Sequence, residues 1–182
     1  MAEPLIRLAA SSDAAAIAGI YAPYVTDTPI SFEEAAPGAG EMAQRMAGDG
    51  RGLHPWLVAE EEGRVIGFAS SSPFRTRPAY RWTVETGVYL APEAQGRGLG
   101  RALMEQLLEL LARQGFTAAV AGITLPNDPS VALHEGLGFT PCATYRDTGF
   151  KLGAWRTVQV FACDLAPRTT PPAEVRPFVD VW

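Results

Sequence analysis

Apolar and polar positions divide the chain into short elements of two periods. Leu5 to Leu8 predicts a strand. A helix follows from Ala14 to Tyr24, capped by Ser11-Ser12-Asp13, with Ile17, Ile20, Tyr21 and Tyr24 on one face. Thr26 to Pro37 predicts a loop with a short extended piece at Ile30-Ser31-Phe32. A second helix runs from Glu41 to Ala47 and stops at Gly48-Asp49-Gly50. Trp56 to Glu60 and Arg64 to Ser70 are apolar runs around Glu61-Glu62-Gly63, a hairpin signal. An arginine-rich loop, Ser72 to Arg81, leads to a third strand from Trp82 to Leu90.

After a glycine cluster, Leu103, Leu107, Leu110 and Leu111 recur at helical spacing between about Gly100 and Gln114, and Gly115 ends that helix. Thr117 to Ile123 is a strand, Pro126-Asn127-Asp128-Pro129 a turn, and Ser130 to Leu137 a short helix. Gly138-Phe139 leads into a strand interrupted by Pro141. Trp155 to Leu165 closes the pattern, with Val158, Val160 and Ala162 alternating. The tail beyond Ala166 is Pro-rich and predicts extended or partly disordered chain. The order is mixed α/β in one domain without internal repeats.

Composition narrows the chemistry. At 182 residues, with 47% hydrophobic and 19% charged residues, the chain supports a hydrophobic core. Its net charge of −5 argues against nucleic acid as partner. Lys151 is the only lysine, which excludes a P-loop and restricts Schiff-base chemistry to that residue. Cys142 and Cys163 lack zinc-site spacing, and His54 and His134 are too few for a His-rich metal site, so no metal is expected. Glu3, Arg7 and Asp13 interrupt the apolar N-terminus, so no signal peptide is expected, and no run approaches a membrane span. No membrane partner and a cytoplasmic location are expected.

The most informative segment is Gln95-Gly96-Arg97-Gly98-Leu99-Gly100-Arg101, between a strand and an amphipathic helix. Glycines permit positive φ and close backbone approach. The free N–H groups of a helix start bind anions, and Arg97 and Arg101 add charge, so a pyrophosphate fits. A glycine-rich helix start with two solvated arginines is the structural alternative.

The spacing Gln95-x-x-Gly98-x-Gly100 resembles the acyl-coenzyme A loop of the GNAT superfamily of N-acetyltransferases. WTVETGVYLAPEAQGRGLG, GITLPNDPSVALHEGLGF, GFKLGAW, PWLVAE and RPAYRW resemble the phosphinothricin/methionine sulfoximine acetyltransferase branch, from about Leu5 to Leu165. The resemblance implies an α/β (α+β) fold with a mixed, mostly antiparallel central sheet flanked by helices. It implies an N-acetyltransferase domain over 1–166, a tail over 167–182 and a homodimer. The implied reaction is direct acetyl transfer from acetyl-CoA to the amine of a small amino acid analogue, of the kind that confers herbicide or antibiotic resistance.

By the same resemblance Glu85 is the general base. In strand alternation it shares a face with Thr83, Gly87 and Tyr89, which is either a pocket wall or solvent-facing. His134 is implied as a second acid/base or orienting group. Asn127 and Ser130, with the backbone of Val88, Tyr89 and Leu90, are implied to hold the pantetheine, and residues 95–101 the phosphates. Arg75, Arg77 and Tyr80 are candidates for the acceptor's anionic end, since arginine forks suit carboxylates and phosphinates. Phe32 and Tyr89 are candidate pocket walls. Lys151 is structural or at the rim.

Two positions depart from the branch. Met104 stands where a tyrosine is frequent, leaving solvent, Tyr89 or the emerging ammonium to protonate the thiolate. Thr124 stands where glycine is frequent. Other acceptors (a peptide N-terminus, a polyamine, an aminoglycoside) and a non-catalytic acyl-CoA sensor are the competing readings.

Overall fold

The computed structural model describes residues 4–182; residues 1–3, and Glu3 with them, lie outside the described residues. Seven strands form one sheet in the order β1-β2-β3-β4-β5-β7-β6. They are β1 (Leu5–Leu8), β2 (Trp56–Glu61), β3 (Arg64–Pro73), β4 (Thr83–Leu90), β5 (Ala118–Leu125), β6 (Thr140–Lys151) and β7 (Ala154–Asp164). The helices are α1 (Ala14–Thr26), α2 (Ala39–Ala47), α3 (Leu99–Gln114) and α4 (Asp128–Gly136). Neighbouring strands are antiparallel except β4 and β5, which are parallel. The mixed, mostly antiparallel sheet flanked by helices agrees with the sequence reading.

Strand alternation sends side chains to two faces. On one face Leu57, Ala69, Val84, Ala119, Ala121 and Ile123 pack against α3, whose Leu103, Met104, Leu107, Leu110 and Leu111 are fully buried. On the other, Val58 and Phe68 pack against Ile17, Tyr21 and Val25 of α1 and Met42 of α2. The leucines spaced for a helix thus form the buried stripe of α3, which Gly115 ends at φ 102°.

Four local expectations need correction. Ser11 and Ser12 do not cap α1; with Asp13 they form a 3-10 turn. The Asp13 carboxylate accepts from the Ala10 N–H at 2.8 Å and is clasped by Arg7 at 2.7 Å, so the charge pair fixes this corner. Ile30-Ser31-Phe32 forms bends rather than an extended piece. Pro141 does not interrupt its strand; β6 absorbs it in a register shift between Pro141 and Ala143 and continues to Lys151. The tail is not partly disordered: the Trp82 Nε1–H donates to Ala173 O, Gln114 Nε2 to Arg176 O, and the Phe178 N–H to Gly52 O. Val175, Phe178 and Val181 pack on the core beneath these bonds.

The decisive feature is a split in the sheet. β5 pairs with β7 along its whole length, from Ala118 to Leu125. Its other edge pairs with β4 only at Thr83, Val84 and Glu85. Beyond Glu85 the two strands part, and one strand edge on each side is left open.

Candidate active site

A cleft of about 620 Å³ runs through this split. Its lining includes Ala121 and Ile123, from the face carrying α3, and Phe68, Tyr89 and Met42, from the face carrying α1 and α2. The opening therefore passes from one face of the sheet to the other. That geometry lets two molecules approach one point from opposite sides.

Backbone groups alternate in direction along a strand. The Ala91 N–H donates to Ile66 O in β3, so Tyr89 and Gly87 also face β3, and Leu90 and Val88 face the split. The backbone assignment to Val88, Tyr89 and Leu90 is thereby narrowed. Tyr89 is committed to the β3 ladder. Leu90 is occupied by the Tyr24 hydroxyl, which donates to its carbonyl at 2.7 Å and accepts from its N–H at 3.3 Å. Val88 remains, with its N–H and C=O toward the opening.

Glu85 lies just where β4 and β5 separate. Its side chain reaches over Gly122, where a Cβ would stand 3.8 Å from Oε1. The carboxyl is open to the cleft and walled by protein elsewhere; burial raises its pKa, while the nearby Arg75 charge opposes the rise. A carboxylate so perturbed holds a proton more firmly than a solvated one, which suits a general base.

His134 sits on α4, on the α3 side, and is buried. Its Nδ1 lies 2.8 Å from the Ser130 carbonyl, which can only accept, so Nδ1 carries the hydrogen. Nε2 is then a lone pair, buried and without a partner among the described residues, on a ring that lines the cleft. Burial lowers the pKa of this histidine, against the opposing Ser130 bond, so the neutral ring prevails near pH 7. Asn127 caps α4, its Oδ1 accepting from the Ser130 N–H at 3.3 Å. Both Asn127 and Ser130 line the cleft.

The glycine loop delivers the start of α3 to the mouth of the split. Gly96 and Gly98 take φ of 70° and 80°. A Cβ on Gly100 would meet Leu90, Leu133 and Val88 at 3.6 to 4.0 Å, so this helix end abuts β4 and α4. The first-turn N–H groups have no intrahelical acceptors. The arginines of the loop are not free. Arg97 pairs with Glu61 at 2.5 Å, and Arg101 pairs with Glu105 at 2.8 Å and donates to Gly136 O. Backbone amides, rather than these guanidinium groups, are the donors left for an anion. The Gln95 amide donates to the Tyr24 hydroxyl at 3.1 Å, tying the loop to α1.

Several residues assigned to the acceptor stand outside the cleft lining. Arg75 lies over the Phe74 ring at 4.3 Å, Tyr80 packs edge-on to Phe74, and Arg77 precedes the short turn Pro78–Tyr80. Phe32 covers Gly149 on the β6–β7 hairpin, where no Cβ would fit. Met104 faces the core and cannot reach the cleft. The helix that offers the cleft a proton-handling side chain is α4, through His134.

Other lining residues escaped the sequence reading. Arg45 of α2 grips both oxygens of Glu33 at 2.8 Å, and the Tyr21 hydroxyl joins Glu33 at 2.8 Å. Arg45 holds the Glu33 carboxyl below its usual range. Trp56 stacks on Phe68, and Phe68 on Tyr89, to make an aromatic wall. Burial pushes the Tyr89 hydroxyl well above its ordinary pKa, so it stays protonated. Lys151 donates to Val25 O at 2.6 Å, to Glu33 O at 2.8 Å and to Ser31 O, binding the β6–β7 hairpin to the end of α1. It carries structure rather than chemistry.

Comparison with known proteins agrees with the fold. Residues 18–139 match the Acetyltransferase (GNAT) family. A phosphinothricin N-acetyltransferase of Streptomyces viridochromogenes is 40% identical over 179 residues, covering 97% of this chain and 95% of the relative. An L-methionine sulfoximine/L-methionine sulfone acetyltransferase of Salmonella typhimurium is 35% identical, covering 92% and 98%. A GNAT superfamily phosphinothricin acetyltransferase from Sinorhizobium meliloti, solved in complex with AcCoA, superposes with a TM-score of 0.90. It shares 37% identity, with 96% of each chain covered.

Proposed function

The chain belongs to the GNAT acetyltransferase family and is an N-acetyltransferase, and from that premise we propose that it acetylates the amino group of a small amino acid analogue. Phosphinothricin, methionine sulfoximine and methionine sulfone are the acceptors its relatives point to. The observation that carries the reading is the cleft that pierces the sheet beside Glu85. Acetyl-CoA supplies an activated acyl group and a thiolate leaving group. The open edge at Val88, the first turn of α3, and Asn127 and Ser130 on α4 are the groups that fit it.

The placement of Glu85, Val88 and His134 supports a set of proton steps. An ammonium cannot attack a carbonyl, so the acceptor must first lose a proton, and Glu85 takes it, directly or through one water. The Val88 N–H donates to the carbonyl oxygen as negative charge develops there, the role of an oxyanion-hole donor. His134, on the thiol side, relays a proton to the departing sulfur. Its neutral Nε2 must first accept one, and the nitrogen losing hydrogen as the amide forms can supply it. The net reaction converts an ammonium and a thioester into an amide, a thiol and one released proton.

Homodimerisation is part of the proposal. Phe150, Leu152 and Trp155 expose 59%, 54% and 64% of their surface on the β6–β7 hairpin, an apolar patch that a second copy would cover. A cytoplasmic location is likewise proposed; no helix among the described residues is long and apolar enough to cross a membrane. Acetylation of a toxic amino acid analogue would make the protein a resistance factor. The test is a thiol-release assay with acetyl-CoA and the three analogues. Turnover of at least one is expected; acetyl-CoA binding without turnover of any would end the acceptor assignment.

A further inference from the structure

The loop between α2 and β2 changes sides of the sheet. Its first residues, Gly48 and Asp49, follow α2 on the face that carries Met42. Its end turns to the other face, where the His54 ring lies against Phe116 in the core beneath α3. Gly48, Asp49 and His54 all line the cleft. Gly48 and Asp49 do so from the face opposite α3 and α4, away from the groups that fit acetyl-CoA.

The loop's own residues give it little hold on that position. Gly48, Gly50 and Gly52 take φ of 54°, 76° and 64°, and a chain so rich in glycine is costly to order. It forms turns and bends only, and its Asp49–Arg51 pair is exposed and local. The near end is tied to α2, since the Gly48 and Gly50 N–H groups donate to Gln44 O and Ala47 O. The far end is held by distant segments. Gln114 Nε2 donates to Leu53 O at 3.0 Å, and the Phe178 N–H to Gly52 O at 2.8 Å.

Gln114 stands in an apolar row. It follows Leu103, Leu107 and Leu110 along one side of α3 and is as fully buried as they are. A buried amide is costly unless it is hydrogen-bonded. Its NH2 donates twice, to Leu53 O and to Arg176 O at 2.8 Å. Both partners are carbonyls, which only accept, so the amide can point only this way. Oε1 has no partner among the described residues. The side chain is a two-pronged donor that joins the loop to the tail.

The tail is seated to match. The last carbonyls of a helix have no partner inside it. Here Gln114 O accepts from the Arg176 N–H at 2.9 Å, and Arg113 O from the Arg176 guanidinium at 2.7 Å. Upstream, Ala173 O accepts from the Trp82 indole at 2.7 Å, three residues before Glu85. Residues 173–178 therefore connect the start of β4, the end of α3 and the cleft loop. With 16 residues in α3, this junction lies about 24 Å from the glycine loop at the helix's other end.

Resting on the N-acetyltransferase reading, we propose that Gln114 and the tail segment 173–178 are positioning elements of the cleft, which hold the loop from Gly48 to His54 in place as its acceptor-side wall. They touch neither substrate; they act through Leu53 and Gly52. A site whose wall is ordered only part of the time binds its ligand more weakly, in proportion to the ordered fraction. Loosening this junction therefore weakens the acceptor and spares acetyl-CoA, whose groups stand at the far end of α3 and on α4.

The experiment uses the full chain with Gln114→Met, which keeps length and loses both donors, and with Phe178→Pro, which removes the N–H on Gly52. Three quantities are measured well below the melting temperature. They are acceptor KM with acetyl-CoA saturating, acetyl-CoA Kd by calorimetry, and hydrogen exchange of the amides in 48–54 by mass spectrometry. Gln114→Met should raise acceptor KM about tenfold, the worth of the lost hydrogen bonding, and Phe178→Pro about threefold. Acetyl-CoA Kd should stay within about twofold, and exchange in 48–54 should quicken. If Gln114→Met does not fold, Phe178→Pro decides. A lower melting temperature with unmoved KM and unmoved exchange overturns the proposal, because the junction then contributes stability alone. An equal loss of acetyl-CoA affinity overturns it as well. No turnover of any amino acid analogue by the unaltered protein ends the acceptor reading; the exchange measurement then decides by itself whether the junction holds the loop.

Discussion

The two edges of β5 are built from the same eight residues and behave as opposites. One edge is hydrogen-bonded to β7 from end to end; the other meets β4 at three positions and then faces open space. Buried backbone groups are almost always paired. An edge left open inside a molecule is therefore a place prepared for something that arrives later. The closed edge holds the sheet together, and the open edge, with Glu85 at its fork, holds the chemistry.

The largest expected effect comes from removing the group at the fork. Glu85→Gln should lower kcat by about 10²- to 10⁴-fold, the usual worth of a positioned base, while acetyl-CoA affinity by calorimetry changes little. The pH profile sharpens this. Because burial raises the Glu85 pKa, kcat/KM should fall on acidification with its midpoint above the ordinary carboxylate range. Arg75 opposes that rise, so Arg75→Ala should move the midpoint to higher pH. A limb that does not move with Arg75 would assign the titration to another group.

A pair of proline substitutions breaks the comparison directly. Proline removes an N–H and is tolerated only where that N–H is outside the ladder. Val88→Pro should fold, with a cooperative thermal transition, and lose about 10²-fold in kcat through the lost oxyanion donor. Val160→Pro, on the strand that closes the other edge, should abolish the cooperative transition. If Val88→Pro unfolds the protein as well, the two edges are not different in kind.

Smaller effects follow. His134→Phe keeps a ring but no proton relay, and kcat should fall about 10- to 100-fold, with acetyl-CoA KM nearly constant in steady-state assays. Arg97→Ala should change acetyl-CoA Kd by less than about threefold, since its charge is already matched by Glu61 in an exposed pair. A tenfold loss there would show that the pair opens for the phosphates.

Local patterns made most of this legible. The leucine spacing of α3, the Glu61-Glu62-Gly63 turn and the glycines at positive φ are short-range signals, and the elements appear where they point. Glu85 could be picked out as a lone carboxylate in an apolar strand, but whether it faced a pocket depended on strands 35 residues apart. The split is a matter of register and twist, which no local window contains. For the same reason Arg97 reads as a free charge, although Glu61 from a distant strand neutralises it; Arg101 and Glu105, one helical turn apart, form a pair that the sequence does contain. The Glu33–Arg45–Tyr21 assembly joins three separate segments, and its residues carry no motif. The tail's prolines signalled an extended path correctly, yet not its anchoring to Gln114, Gly52 and Trp82.

Lys151 has a consequence outside folding. It is the only lysine of the chain, and its ammonium is enclosed by three carbonyl oxygens. Amine-reactive esters and aldehydes will therefore find no unoccupied ε-amine on the folded protein. Brought to an acyl donor, the molecule offers almost no lysine nucleophile to be labelled by it, and an acylated ε-amine would report unfolding rather than turnover.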